Sequence, residues 1–221
     1  MKRHPSGKPP PKKRRREFAR HLVLFTRAPR LGRVKRRLAA SLGAIAALRF
    51  HRAAMATALA RFGRHPSFRL WLAVTPDDAG GIASAWPRAK GVARLRQGPG
   101  DLGRRMGRVV RVLPPGPVVI VGSDIPEARV GDVRDAFRAL TRFDAVFGAA
   151  GDGGYWLVGF RRVVLPFRPF RNVRWSSAHA LQDTLRNLGP CSRVARVATR
   201  EDVDDERSFR RWREREKRKQ P

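Results

Sequence analysis

Pro117-Val-Val-Ile-Val-Gly-Ser-Asp-Ile-Pro126 is the stretch on which the fold turns. Its opening residues, 117–121, are a continuous apolar run of the kind found in strands buried on both faces of a parallel sheet. Such a strand needs a helical layer on either side, so the segments around it should alternate in type. Working towards the amino terminus, residues 102–113 have a helical pattern ended by Pro114-Pro115, and 92–96 have a strand pattern. Residues 76–86 are expected to form a short helix and 68–75 (FRLWLAVT) a strand. Residues 44–62 form an alanine-rich helical stretch stopped by Gly63 and Pro66, and 21–26 (HLVLFT) a short apolar strand. Towards the carboxyl terminus, Val130, Val133, Phe137 and Leu140 recur at helical spacing over 130–140. Strands are expected at 143–147, 155–160 and 194–198, with a helix at 177–188. The alternation predicts an α/β protein, a three-layer α/β/α sandwich around a mostly parallel central sheet.

The chain of 221 residues suits one domain with short appendages. It carries 49 Lys and Arg against 18 Asp and Glu, a formal charge of +31. Residues 1–20 account for +8 and residues 207–221 for +6, which leaves +17 for residues 21–206. Three divisions follow: a disordered basic arm over 1–20, a folded domain over 21–206, and a basic helix or tail over 207–221 in which Phe209 and Trp212 are spaced to dock it. The arms are candidates for contact with polyanions through counterion release. No aromatic residues interleave with the basic ones to stack bases, which leaves a passive solubility role as the alternative. The single cysteine, Cys191, excludes both a disulfide framework and a multi-cysteine zinc site, and fits a reducing compartment. No apolar stretch is long enough to span a bilayer, and residues 22–25 are too short for the apolar core of a signal peptide. A cytoplasmic location is therefore expected.

Ligands of open α/β sheets sit beyond the carboxyl ends of the strands. After the first strand, Arg27-Ala-Pro-Arg-Leu-Gly-Arg-Val-Lys-Arg-Arg-Leu38 bends at Pro29 and Gly32 and gathers Arg27, Arg33, Lys35 and Arg37 about a helix start, a candidate phosphate cradle. The spacing matches neither a Walker loop nor a dinucleotide fingerprint. After 117–121, Asp124 is either a ligand for a hard divalent cation or a turn residue ahead of Pro126. The glycine-rich stretch from Phe147 to Phe160 brings Asp152 and Tyr155 either to a pocket floor or into an ordinary hairpin and core. Glu201-Asp-Val-Asp-Asp-Glu206 either supplies a second metal carboxylate or favours the start of the next helix.

The strings LVLFTRAPRLGRVKRRL, RQGPGDLGRRM, VVIVGSDIP, FGAAGDGGYWLVGF, VRWSS and DVDDERSF occur in that order. Over about residues 22–209 the chain thereby resembles the bacterial radical-SAM/selenodomain-associated transferase 1 family, glycosyltransferase-like proteins with the GT-A nucleotide-diphospho-sugar transferase fold. It departs from the usual pattern at Arg27, where such families show Lys, and at Arg36, Ile125, Ser177 and Asp205. The resemblance implies a nucleotide or nucleotide-sugar donor held by Arg27, Pro29, Gly32, Lys35, Arg37 and Gln97. It implies Mg²⁺ (or Mn²⁺) at Asp124 and Asp204, with Asp202 as neighbour. Asp124 and Asp152 would be catalytic, and a small-molecule acceptor or the sugar would lie against Gly153, Gly154, Tyr155 and Trp175. Glycosyl transfer, nucleotidyl transfer with pyrophosphate release, and non-catalytic polyanion binding are the three functions consistent with these features.

Overall fold

The computed structural model describes residues 19–63, 65–77, 92–161 and 168–218. Along the chain, β1 (His21–Arg27) leads into a short helix α1 (Arg36–Leu42), then α2 (Ala44–Phe62) and β2 (Arg69–Thr75). β3 (Ala93–Arg96), α3 (Leu102–Val112), β4 (Val118–Gly122) and α4 (Val130–Ala139) follow. The remainder is β5 (Ala145–Ala149), β6 (Tyr155–Phe160), α5 (Ala180–Leu188), β7 (Val194–Val197) and α6 (Glu206–Lys217). The expected basic arm over 1–20 and the helix expected over 76–86 fall almost entirely outside the described residues.

The seven strands form one sheet in the order β3-β2-β1-β4-β6-β5-β7. β1 is parallel to both β2 and β4, β2 to β3, and β5 to β7. Only β6 runs against its neighbours, pairing antiparallel with β4 and β5. The glycine-rich connection between β5 and β6 is therefore a hairpin, closed by Ala150 N–H donating to Gly154 O at 3.1 Å. Gly153 has a φ of +83°, and a Cβ there would stand 2.3 Å from the Ala178 carbonyl oxygen, so glycine is required at this seam with the loop before α5.

Side chains of the central strands alternate between two cores, as the pleat dictates. Leu22, Leu24, Val119 and Val121 point to one face, where Met55, Leu59 and Phe62 of α2 and Val133 and Phe137 of α4 cover them. Val23, Val118 and Ile120 point to the other, under Met106, Val109 and Val110 of α3 with α5 alongside. The continuous apolar run in β4 is thus buried on both sides, and the result is a three-layer α/β/α sandwich with the nucleotide-diphospho-sugar transferase-like architecture.

The basic carboxyl-terminal segment is not a free tail. Asp205 caps α6 by accepting from Ser208 N–H at 2.8 Å. Phe209 and Trp212 pack edge-on against Phe50 of α2, with ring centroids 5.4 and 5.3 Å away. This third cluster also holds Leu38, Ala47, Ala54 and Val203. Further along α6, Arg215 donates to Glu201 at 2.8 Å. The segment 168–178 is fixed to α5 in another way. The Asp183 carboxylate accepts from Arg174 at its backbone N–H and at Nε and Nη2, and also from Arg186. Those bonds, from Arg174 above all, hold the Asp183 carboxyl well below the usual carboxylate range.

Two measurements test these anchors. Phe50→Ala should cost about 3 kcal/mol of stability in denaturant unfolding, the usual loss for a buried phenylalanine; a loss under about 1 kcal/mol would mean that α6 is not held through this ring. Because folding lowers the pKa of Asp183, its contribution is complete above the unfolded value of about 3.9 and drains away as pH falls further. The stability gap between the wild type and Asp183→Asn should therefore be constant near neutrality and narrow below about pH 4. A gap unchanged down to pH 3 would contradict the clamp.

Candidate active site

The carboxyl ends of β1 and β4 and the amino end of the antiparallel β6 open into a cleft of about 860 Å³. Three chain segments converge there for separate local reasons. After β1, Ala28 N–H bonds to Thr75 O at 2.8 Å and holds the start of the loop to the sheet, while Val34 and Leu38 are buried and draw the far end of the loop inward. Lys35 adopts φ 46°, ψ 52° as the residue before α1. His51 of α2, 5% exposed, lies 2.9 Å through Nε2 from Arg27 O and pins the end of β1. A carbonyl only accepts, so Nε2 carries the proton. Burial lowers the His51 pKa, with Lys35 adding to the effect, and the ring is held neutral.

At the end of β4, Ser123 Oγ donates to Thr26 Oγ1 at 2.8 Å and closes the turn inside the protein. Asp124 then folds back over Gly122, where a Cβ would stand only 2.6 Å from Asp124 Oδ1. The third segment is Asp202-Val-Asp204. Val203 N–H donates to Asp124 O at 3.2 Å, and the Val203 side chain, 2% exposed, enters the α1–α2–α6 cluster. Burial of the central valine leaves the aspartates on either side of it lining the cleft.

The centre of the cleft is the Lys35 ammonium. Its Nζ donates to Asp124 Oδ2 at 2.8 Å and to Asp204 Oδ1 at 3.4 Å, and the side chain is 6% exposed. Arg37, largely exposed, stands 3.6 Å from the other oxygen of Asp204. Burial by itself would lower the lysine pKa, but the attraction of Asp124, with Asp204 and Asp202 behind it, outweighs burial and raises it. Burial acts on Asp124 in the opposite sense and is overcome by Lys35, which leaves the carboxyl lowered. For Asp202 the pull of Lys35 is outweighed, and burial followed by the charge of Asp124 pushes it up to about 6.

Of the residues expected from the sequence, Arg27, Lys35, Arg37, Gln97, Asp124, Asp152, Gly154, Tyr155, Trp175, Asp202 and Asp204 all line this cleft. Pro29 and Gly153 do not. Pro29 is buried in the loop, and Gly153 belongs to the seam with Ala178. Gly32 lines a smaller adjoining hollow with Arg27, Leu31, Arg33 and Arg36. Gln97 is 1% exposed, and its amide donates to Thr26 O and Ala73 O at 2.8 and 2.9 Å, tying β3 to the ends of β1 and β2. Asp152 is exposed at the hairpin tip, with Oδ1 accepting from Gly154 N–H at 2.9 Å.

Tyr155 packs edge-on against Phe147 and Trp175. Thr184 gives its hydroxyl hydrogen to Ala180 O, so the tyrosine hydroxyl donates to Thr184 Oγ1 at 3.4 Å. Burial raises the phenol pKa, so Tyr155 stays neutral and serves as wall. Trp175 lies against Gly103 of α3, where a Cβ would be 2.8 Å from Cζ2. Sequence reasoning missed His51, the Thr26–Ser123 hydroxyl pair and Arg105 of the cleft rim. A lone histidine in an alanine-rich helix carries no local signal of its partner.

Among the described residues no three His, Cys, Asp or Glu side chains form a ready-made metal cage. The chemistry of the donor set nevertheless suits a hard cation that keeps water and phosphate ligands. It consists of carboxylate oxygens only, from Asp124 and Asp204, which lie within 3.4 Å of one Lys35 ammonium.

Solved structures resemble this chain closely enough to place the fold. A Desulfovibrio desulfuricans G20 protein described as a candidate nucleotide-diphospho-sugar transferase is 28% identical, with a TM-score of 0.75 over 85% of this chain and 84% of that one. A Methanothermobacter nucleotidyl transferase matches at 15% identity and a TM-score of 0.59, covering 92% and 99% of the two chains. Mycobacterium tuberculosis H37Rv Rv0371c in complex with manganese matches at 17% and 0.52, covering 88% and 97%. No curated protein matches. The profile of one protein family covers residues 58–177, from within α2 to the Trp175 wall, and the chain belongs to that family, described as uncharacterized protein conserved in bacteria (DUF2064).

Proposed function

We propose that the protein is a divalent-metal-dependent transferase acting on a nucleotide-activated donor, and that the group it moves is the glycosyl group of a nucleotide sugar. The observation that carries this reading is the meeting, in one cleft, of the carboxylates Asp124 and Asp204 with Arg27, Lys35 and Arg37, beside the aromatic wall of Tyr155 and Trp175. Support also comes from the description of the Desulfovibrio relative and from the family resemblance of the motifs. Asp124 and Asp204 would hold Mg²⁺ or Mn²⁺, which when bound neutralises charge on a diphosphate leaving group. Arg27, Lys35 and Arg37 bind the phosphate oxygens through charge-assisted hydrogen bonds, on a loop shaped by Pro29 and Gly32. Gln97 borders the nucleotide. Gly153 and Gly154 keep the hairpin tight against α5, so that the sugar or acceptor rests between Asp152 and Trp175.

The reaction balances as a displacement. An acceptor hydroxyl oxygen bonds to the anomeric carbon, the bond from that carbon to the diphosphate oxygen breaks, and the nucleoside diphosphate leaves. Asp152 receives the hydroxyl proton. Nucleotidyl transfer is the second reading, favoured by Arg33 and Arg36, which add two cations at the cleft and would suit a triphosphate.

The products of slow hydrolysis separate the two. With Mg²⁺ or Mn²⁺, glycosyl transfer gives free sugar and nucleoside diphosphate from a nucleotide sugar, while nucleotidyl transfer gives pyrophosphate from a nucleoside triphosphate. Either activity should fall at least about 100-fold in Asp124→Asn; because the change also strips the buried Lys35 of its nearer carboxylate, the melting temperature should fall too, so activity is measured where circular dichroism shows the variant folded. Pyrophosphate without free sugar would replace the first reading by the second. Neither product, with no thermal shift by any nucleotide in the presence of metal, would overturn both.

A further inference from the structure

In the donor-binding reading Lys35 belongs on phosphate oxygens, yet the structure spends it on the carboxylates. Its Nζ lies 2.8 Å from Asp124 and 3.4 Å from Asp204, on the two residues assigned to the divalent cation. The backbone enforces that direction: Lys35 is in the left-handed region, which non-glycine residues seldom enter, and Val34 and Leu38 on either side are buried. An ammonium and a divalent cation brought to these two carboxylates repel each other at this range and compete for the oxygens that Lys35 already holds. Arg37 stands differently. It is 76% exposed and 3.6 Å from Asp204, so water solvates it whether or not the carboxylate is occupied. His51 offers no substitute cation, since its Nε2 proton is committed to Arg27 O.

We propose that Lys35 is the resident counter-ion of the metal position and is exchanged on donor binding: it gives up Asp124 and Asp204 as a divalent cation takes their oxygens, and its ammonium passes to the polyphosphate that arrives with the cation. The inference rests on the donor-binding reading above. Metal alone has to displace Lys35 into a buried setting with no new partner, which weakens its binding. Metal together with polyphosphate supplies the partner, so each ligand strengthens the other by the same factor.

The experiment measures Mn²⁺ binding without nucleotide, by titration calorimetry on the full chain at fixed pH. The wild type should bind weakly, Lys35→Met at least about tenfold more tightly, within the range of ordinary coupling factors, and Lys35→Arg as weakly as the wild type. A second measurement needs no variant: acetylation of Lys35 in the wild type, read by mass spectrometry against the other lysines. Saturating Mn²⁺ should raise labelling of Lys35 several-fold, and adding inorganic pyrophosphate with the metal should suppress it again. A natively melting Lys35→Met with unchanged or weaker Mn²⁺ affinity would overturn the exchange, as would Lys35 labelling that Mn²⁺ leaves unmoved. Should the wild type bind nucleotide with metal while either result holds, only the exchange fails. If neither the wild type nor Lys35→Met binds Mn²⁺ at all, the metal assignment of the donor-binding reading fails with it.

Discussion

Burial of β4 on both faces is the constraint from which the remaining structure follows. Val119 and Val121 demand cover from α2 and α4, while Val118 and Ile120 demand it from α3, so the chain has to supply helices to either side. A strand enclosed in this way can release polar groups only at its ends, since a charge within its length would have neither water nor partner. Gly122-Ser-Asp124 is the first place along β4 where a carboxylate can reach solvent, and it emerges beside the loop that leaves β1, the strand paired with β4. The position of the cleft is a consequence of the packing, and its chemistry depends on which residues stand at those strand ends.

Electrostatics complete the cleft in a protein with very few acids. With 18 carboxylates against 49 cations, most Asp and Glu could find an arginine anywhere on the surface. Asp183, Asp132 and Glu201 do so and act as clamps. Asp124, Asp202 and Asp204 are instead gathered around a single lysine, which leaves Asp202 crowded by like charge. Structural ion pairs in this fold tie one element to another. The cleft group stands out because it sets carboxylates against a cluster of cations where a ligand can enter.

Elements marked by local pattern were readable in advance. α2 was expected over 44–62 and found there, because an alanine-rich run between Gly43 and Gly63 carries its own start and stop. For α1 a helix start was expected at the cation loop but its extent was not, since seven residues in an arginine-rich stretch show too little periodicity. The antiparallel course of β6 was present only as the hairpin alternative for the glycine-rich stretch, as residue pattern records burial and carries no direction. At the site, strand-end logic picked out Asp124, Lys35 and the acidic run 201–206 separately, and the family resemblance singled out Asp204 within that run. Their meeting was beyond local reasoning, because Lys35 and Asp204 are 169 residues apart and the contact depends on Val203 entering a cluster formed by α1, α2 and α6. Pro29 was expected at the site as a bend in the loop and Gly153 for close backbone approach, both with the support of the family resemblance, yet a residue that shapes a loop need not face what the loop encloses.

The anchoring of α6 has a consequence for the order of events during synthesis. Asp202 and Asp204 are held in place by Val203 from within their own segment, and by Phe209, Trp212 and Arg215 from beyond it. A chain still growing on the ribosome has already made the whole sheet, the cation loop and Asp124 before any of these anchors exists. Until they emerge, Lys35 has one carboxylate where the finished protein gives it two. The acidic edge formed by Asp202 and Asp204 is thus the last part of the cleft to be born, and a nascent chain carries the fold before it carries the finished cleft.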